Sequence, residues 1–116
     1  MSDIERTLLD GLRQPEYCGG VTEVAKGLWM RRQDIKTSKI VDYALRLNVG
    51  AVIRRLGYLL ELYQIASEQE LAGLKQRLTK TYLTLDPILP KEGSHLARWR
   101  LQLNIPADEL KKVREA

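Results

Sequence analysis

Apolar residues recur along this chain at two spacings, and the change from one to the other falls near Lys80. Ile4, Leu8, Leu9 and Leu12 stand three and four residues apart, which predicts a helix over about Asp3–Arg13. Ser2 with Glu5 three residues on matches a capping box at its start, and Pro15 ends it. Val21, Val24, Ala25, Leu28 and Trp29 make the stripe of a second helix, closed by Arg31 and Arg32, cations that suit a helix C-terminus. Asp34 or Thr37 is expected to cap a third, carrying Ile40, Val41, Ala44, Leu45 and Leu47 and broken at Asn48. The fourth pattern is the clearest: Val49, Val52, Ile53, Leu56, Leu59, Leu60 and Tyr63 follow helical spacing within residues 49–65. Gly57 in its middle costs about 1 kcal/mol relative to alanine, so another helix or backbone is expected to pack closely there. Ser67-Glu68-Gln69-Glu70 reads as a capping box opening a fifth helix with Leu71, Leu74 and Leu78 on one face.

Beyond Lys80 the spacing shortens. Tyr82–Leu85 reads as a short strand stopped by Asp86-Pro87. From Leu96 to Ile105 the residues alternate, with Ala97, Trp99, Leu101, Leu103 and Ile105 on one side and Arg98 and Arg100 on the other, which predicts a half-buried strand with a basic outer face. Pro90–His95 is the expected turn between the two strands, and Pro106 with Asp108 and Glu109 opens a last helix to about Arg114. The fold class that follows is α+β, mainly α: about five helices, a small antiparallel strand pair and a C-terminal helix in a single domain over residues 1–116. Leu8, Leu9, Leu28, Trp29, Leu45, Val52, Leu56, Leu59, Leu60, Leu74, Trp99 and Leu101 are the expected core.

Composition agrees with this picture. Twenty leucines, no phenylalanine and four prolines favour helix packing. No apolar run approaches the roughly 20 residues that a bilayer span needs, and the acidic start does not read as a signal peptide, so no membrane partner and a cytoplasmic location are expected. The net charge of +4 is mild and spread over the last two-thirds of the chain. It permits nucleic-acid contact, and it is also what an ordinary solvated surface carries.

Candidate chemistry is sparse. His95 has no local partner except Ser94, and Cys18 beside Gly19-Gly20 reads as a small residue in a tight connector. Two glycines before a helix, without a lysine or hydroxyl signature, make a weak phosphate cradle. No catalytic residue, metal ligand or cofactor site is expected. The arginines are more informative. Arg54 and Arg55, opposite the apolar stripe of the fourth helix, resemble the exposed residues of a DNA-reading helix, with Arg31, Arg32, Lys36 and Lys39 on flanking phosphates. The spacing from Ala44 suits an ordinary helical hairpin better. Arg98 and Arg100, two apart on a strand, would project together to grip phosphate or a carboxylate, or would serve to keep a sheet edge from aggregating.

Three stretches in order carry a resemblance: Glu5-Arg6-Thr7-Leu8-Leu9-Asp10 with Pro15-Glu16-Tyr17-Cys18-Gly19-Gly20, then Val52-Ile53-Arg54-Arg55-Leu56-Gly57-Tyr58-Leu59-Leu60-Glu61, then Leu85-Asp86-Pro87 with Arg98-Trp99-Arg100-Leu101. Together they resemble the C-terminal domain of the AbiE-type abortive-infection antitoxins (the AbiEi family), the antitoxin half of a type IV toxin–antitoxin pair active in phage defence. The resemblance spans about residues 3–105. It implies a non-catalytic, regulatory domain that neutralises a nucleotidyltransferase-like toxin. The chain begins where the family's second domain begins, without the N-terminal winged helix that reads the operator, so neutralisation is the function the resemblance carries over. The expected binding surface comprises Arg54, Arg55, Arg98 and Arg100, with Arg31 and Arg32. The alternative is a small basic DNA-binding module using the helix at 49–65 or the strand at 96–105.

Overall fold

One helix runs through the centre of the molecule. In the computed structural model, which describes residues 4–115, this helix is α4 (Gly50–Leu62), and every residue from Val52 to Leu60 is buried. A helix buried on all sides needs neighbours on all sides. α1 (Ile4–Arg13) and α5 (Glu68–Lys75) supply two of them, and α2 (Val21–Met30) and α3 (Thr37–Leu47) pack in turn on α1. α6 (Ala107–Lys111) and a following 3-10 turn close the chain against α2. The architecture is mainly helical with a small sheet, and among the described residues no helix is long and apolar enough to cross a membrane.

Local sequence signals explain most of the boundaries. Ser67 accepts from the Glu70 backbone N–H at 3.3 Å while the Glu70 carboxylate accepts from the Ser67 backbone N–H at 3.1 Å, so the expected capping box opens α5. Asn48 ends α3 in the left-handed region at φ 52°. Neither Asp34 nor Thr37 caps α3: Lys36 holds the cap position without a side-chain bond, and Thr37 is already the first helical residue. Glu5 is buried and pairs with Lys39 on α3 at 3.4 Å, whereas the capping role expected of Ser2 lies outside the described residues. Of the expected core, Trp29 and Leu45 are only half-buried and the other ten residues are buried.

The sheet departs from expectation. The residues from 96 to 105 do not form one strand. β2 (Ser94–Leu96) and β3 (Leu101–Leu103) are separate, joined by a turn at residues 97–100, and they pair antiparallel. β1 (Leu83–Thr84) pairs with β3 in parallel, Leu83 opposite Leu101, giving the order β1-β3-β2. His95 therefore lies in a strand and not in a turn. Trp99, Leu101 and Ile105 are buried as the alternation predicts, although Trp99 reaches the core from the turn.

The connection after β1 is tied down by Asp86. Its buried carboxylate accepts from the backbone N–H of Val21, the first residue of α2, at 3.1 Å, and from that of Ile88 at 3.1 Å. An internal carboxylate thus occupies the positive end of α2. Gly20, at φ 105°, lets it come close, since a Cβ there would stand 3.0 Å from Asp86 Oδ2.

Candidate functional site

The two arginines expected on the exposed face of α4 are inside the protein. Arg54 is 2% exposed and Arg55 is 4% exposed, so neither reads DNA as a surface side chain. Each is held by carbonyls at the ends of neighbouring elements. Arg55 donates from Nη1 to Leu12 O in the last turn of α1 at 2.8 Å, and from Nη2 to Thr84 O at 3.3 Å. A cation at that place satisfies a helix-end carbonyl and suits the negative end of the α1 dipole. Burial pushes the Arg55 guanidinium below its ordinary range, and the charges of Asp86 and Glu16 partly offset this. Arg54 donates from Nη2 to Thr79 Oγ1 at 2.8 Å and to Thr81 O at 2.9 Å. Burial, and then the nearby charge of Arg100, lower its affinity for the proton.

Arg98 and Arg100 do not share a strand face. The turn that carries them runs along α4 against the helix direction. Arg98 meets Glu61, with Nε at 2.6 Å from Oε2. Trp99 lies over Gly57, and Arg100 stands beside Arg54. Positions 61, 57 and 54 are one helical turn apart, so three consecutive residues of the turn read three successive turns of one helix face. The partner close to Gly57 is an indole ring and not another helix or backbone. Trp99 Nε1 donates to Glu61 Oε1 at 3.0 Å, which leaves Arg98 and Trp99 sharing one carboxylate. Burial alone would raise the Glu61 carboxyl, but the hydrogen bonds from Arg98 and Trp99 and the charges of Arg98 and Lys75 outweigh it and hold it below its usual range. Arg98 is therefore neutralised. Arg100, at φ 53°, has no carboxylate; its guanidinium lies beside the Tyr82 ring at 5.6 Å.

Arg31 and Arg32 belong to a different region. Arg32 stacks on Trp29 at 3.6 Å and bonds its carbonyl, and Trp29 in turn packs on Tyr63 at the C-terminal end of α4. Arg54 is toward the opposite end, about 13.5 Å from Tyr63 along a helix that rises about 1.5 Å per residue. The six arginines are not one surface.

What the fold does bring together at the N-terminal end of α4 is residues from stretches of sequence without acids. Three intervals of the sequence lack Asp and Glu altogether: 43–60, 71–85 and 93–107. They meet here. Arg54 reaches Thr79 and Thr81, Arg77 donates to Asn48 Oδ1 at 3.4 Å, and the Leu83 N–H donates to Arg100 O at 3.1 Å. Arg54, Arg77, Lys80 and Arg100 make no ion pair among the described residues. Arg77 and Lys80 are exposed and Arg100 half-buried, whereas Arg54 lies beneath. Nearby, Tyr82 packs edge-on against His95 at 5.0 Å. Arg77 and Lys80 escaped the sequence reading because they stand outside any motif; the shared absence of acids from the three intervals was the available signal.

Other features carry less chemistry. The Gly19-Gly20 connector faces Asp86, so the start of α2 already holds a carboxylate. A groove of about 340 Å³ between α1 and α3 is lined by Arg6, Leu9, Asp10, Arg13, Tyr43, Arg46 and Leu47, with no nucleophile or histidine among them. Among the described residues no three His, Cys, Asp or Glu side chains gather as a metal site would require. Compared with models of known protein families, with curated proteins and with solved structures, the chain matches none.

Proposed function

We propose that this chain is a non-catalytic, antitoxin-like domain that acts in the cytoplasm, counteracting a nucleotidyltransferase-like toxin through the cationic region formed by Arg77, Lys80 and Arg100. The observation that carries this reading is the convergence of three acid-free intervals on one end of α4, which leaves these cations without carboxylate partners. Surface cations are usually interspersed with acids; a region of one sign focuses its field on partners of the other. A nucleotidyltransferase-like enzyme offers two such partners, the carboxylates that hold its metal ions and the phosphates of its substrates. The order of sequence motifs supplies the family resemblance.

The test is growth of cells that express such a toxin, with and without this chain. Rescue by the wild type is expected, and the triple reversal Arg77→Glu, Lys80→Glu, Arg100→Glu is expected to abolish it while the protein remains folded by circular dichroism. Rescue by the triple variant would remove the surface assignment. Failure of the folded wild type to rescue would remove the antitoxin reading.

The same region favours a second reading, a small DNA-binding module. If the three exposed or half-exposed cations each meet a phosphate, log affinity falls with log salt at a slope near −3, about 0.9 per phosphate. Salt-insensitive binding would eliminate it.

A further inference from the structure

The outer face of the small sheet carries aromatic rings beside cations, and the strand register settles which side chains share it. Leu83, Leu101 and Leu96 stand level across the three strands, and Leu101 is fully buried, so this row faces the core. Side chains alternate along a strand, so the neighbouring row, Thr84, Gln102 and His95, faces outward. Tyr82, two residues before Thr84, belongs to the same face. Its ring reaches across β3 to that of His95, with centroids 5.0 Å apart and planes at 88°. In such an edge-on pair, the ring that presents its edge keeps both of its own faces clear of the partner. His95 is exposed, and Tyr82, Arg100 and Gln102 are half-buried. Arg100 Nη1 donates to Tyr82 Oη at 3.4 Å, which fixes a guanidinium beside the ring. Lys80 is exposed and stands between Thr79 and Thr81, both held by the buried Arg54. Neither Lys80 nor Arg100 makes an ion pair among the described residues.

We infer that this sheet face is a stacking platform for single-stranded nucleic acid, with His95 and Tyr82 against the bases and Arg100 and Lys80 on the phosphates. Bases in a duplex are stacked on one another, and only an unpaired base can lay its face on a side-chain ring. Stacking supplies attraction that does not depend on which base is present, and the cations follow the backbone. Neighbouring strands lie about 4.8 Å apart, so a face three strands wide has room for one or two bases. The inference rests on reading Lys80 and Arg100 as part of a binding surface, and it goes further by naming the ligand. A module that grips duplex phosphates alone has no use for the two rings.

The experiment measures fluorescence anisotropy of a short labelled oligothymidylate, an oligouridylate and a DNA duplex titrated with the full chain. Both single strands, or one of them, are expected to bind more tightly than the duplex, and the preferred arm identifies the sugar. His95→Ala, a change at an exposed position, is expected to leave the circular dichroism unchanged and to weaken single-strand binding about tenfold. His95→Phe keeps a ring and should restore it. Lys80→Gln should reduce the slope of log affinity against log salt by about 0.7, the share of one single-strand phosphate. His95 is the only histidine in the sequence, so its ring protons are a direct NMR probe; stacking under a base should move them upfield. Failure of both single strands to bind would overturn the inference, as would a duplex bound as tightly as either, or His95→Ala binding like the wild type. A chain that rescues cells from the toxin without binding either strand keeps the antitoxin reading and loses this one. Binding without rescue does the reverse.

Discussion

Gly57→Ala ought to stabilise a helix and here should do the reverse. By propensity alone, alanine in a helix interior is better than glycine by about 1 kcal/mol. At this position the added Cβ would stand 2.2, 2.4 and 2.7 Å from Cζ3, Cη2 and Cε3 of Trp99. Carbon atoms rest in contact at about 3.5–4.0 Å, so ring or helix must move by more than about 1 Å. The ring is fully buried and its Nε1 is committed to Glu61, so movement also strains a bond to a charged acceptor, worth about 1.5–3 kcal/mol. Overpacking of a well-filled core costs about 1–3 kcal/mol. After the propensity gain is subtracted, the expected net loss is about 1.5–5 kcal/mol.

Gly73→Ala is the internal control, since that glycine is also helical and a Cβ would meet nothing within 4 Å. It should gain about 0.4–1 kcal/mol. Urea unfolding followed by far-ultraviolet circular dichroism measures both, with an unchanged m-value as the sign that only stability has moved. Adding Trp99→Leu to Gly57→Ala should make the two changes strongly non-additive, because the clash disappears with the ring. A Gly57→Ala protein as stable as the wild type would refute the claim that the indole occupies that space.

Other expectations follow from the same contacts. Arg55→Met leaves the Leu12 and Thr84 carbonyls without their donor and should cost about 2–4 kcal/mol in the same assay; a loss below about 1 would mean that the pair of bonds contributes little. The Glu61 carboxyl is held lower in the folded protein than in the unfolded chain, so its contribution is present above the unfolded value near pH 4.3 and is lost as pH falls through the folded one. Glu61→Gln should therefore flatten the acid limb of stability against pH, and an unchanged limb would count against the clamp. Burial, reinforced by Tyr58 and opposed by Arg114, pushes the Tyr63 hydroxyl up to about 12, and that hydroxyl donates to Leu110 O at 2.8 Å. Its contribution is complete below the unfolded value near 10 and disappears as pH rises through about 12. In a spectrophotometric titration Tyr63→Phe should remove the latest tyrosinate step.

How much of this could be read along the chain varies from element to element. The helical stripes and the Ser67 capping box are local statements, because a turn of helix joins residues at most four apart. Gly57 announced a close approach but not the partner, since Trp99 is 42 residues away in sequence and nothing local links them. The split of residues 96–105 was hidden for a related reason: alternation shows which residues turn inward and does not show whether one strand or a turn delivers them. Arg54 and Arg55 misled most. They lie opposite the apolar stripe of α4, the side that faces water in a helix covered on one side only. Here the end of α1 and residues 79–84 cover that side and present carbonyls to it.

By itself, then, the sequence determined the helical class, the position of the central helix and most of the core, all of which follow from spacing and volume. Charge is different, because a guanidinium is governed by whatever lies within a few ångströms, and sequence spacing does not report that distance. Only the tertiary structure decided that Arg54 and Arg55 hold the fold together, that Glu61 neutralises Arg98, and that Arg77, Lys80 and Arg100 make no ion pair among the described residues. The reason is physical: segments far apart in the chain meet at one end of α4, and their charges act together only once folding has brought them there.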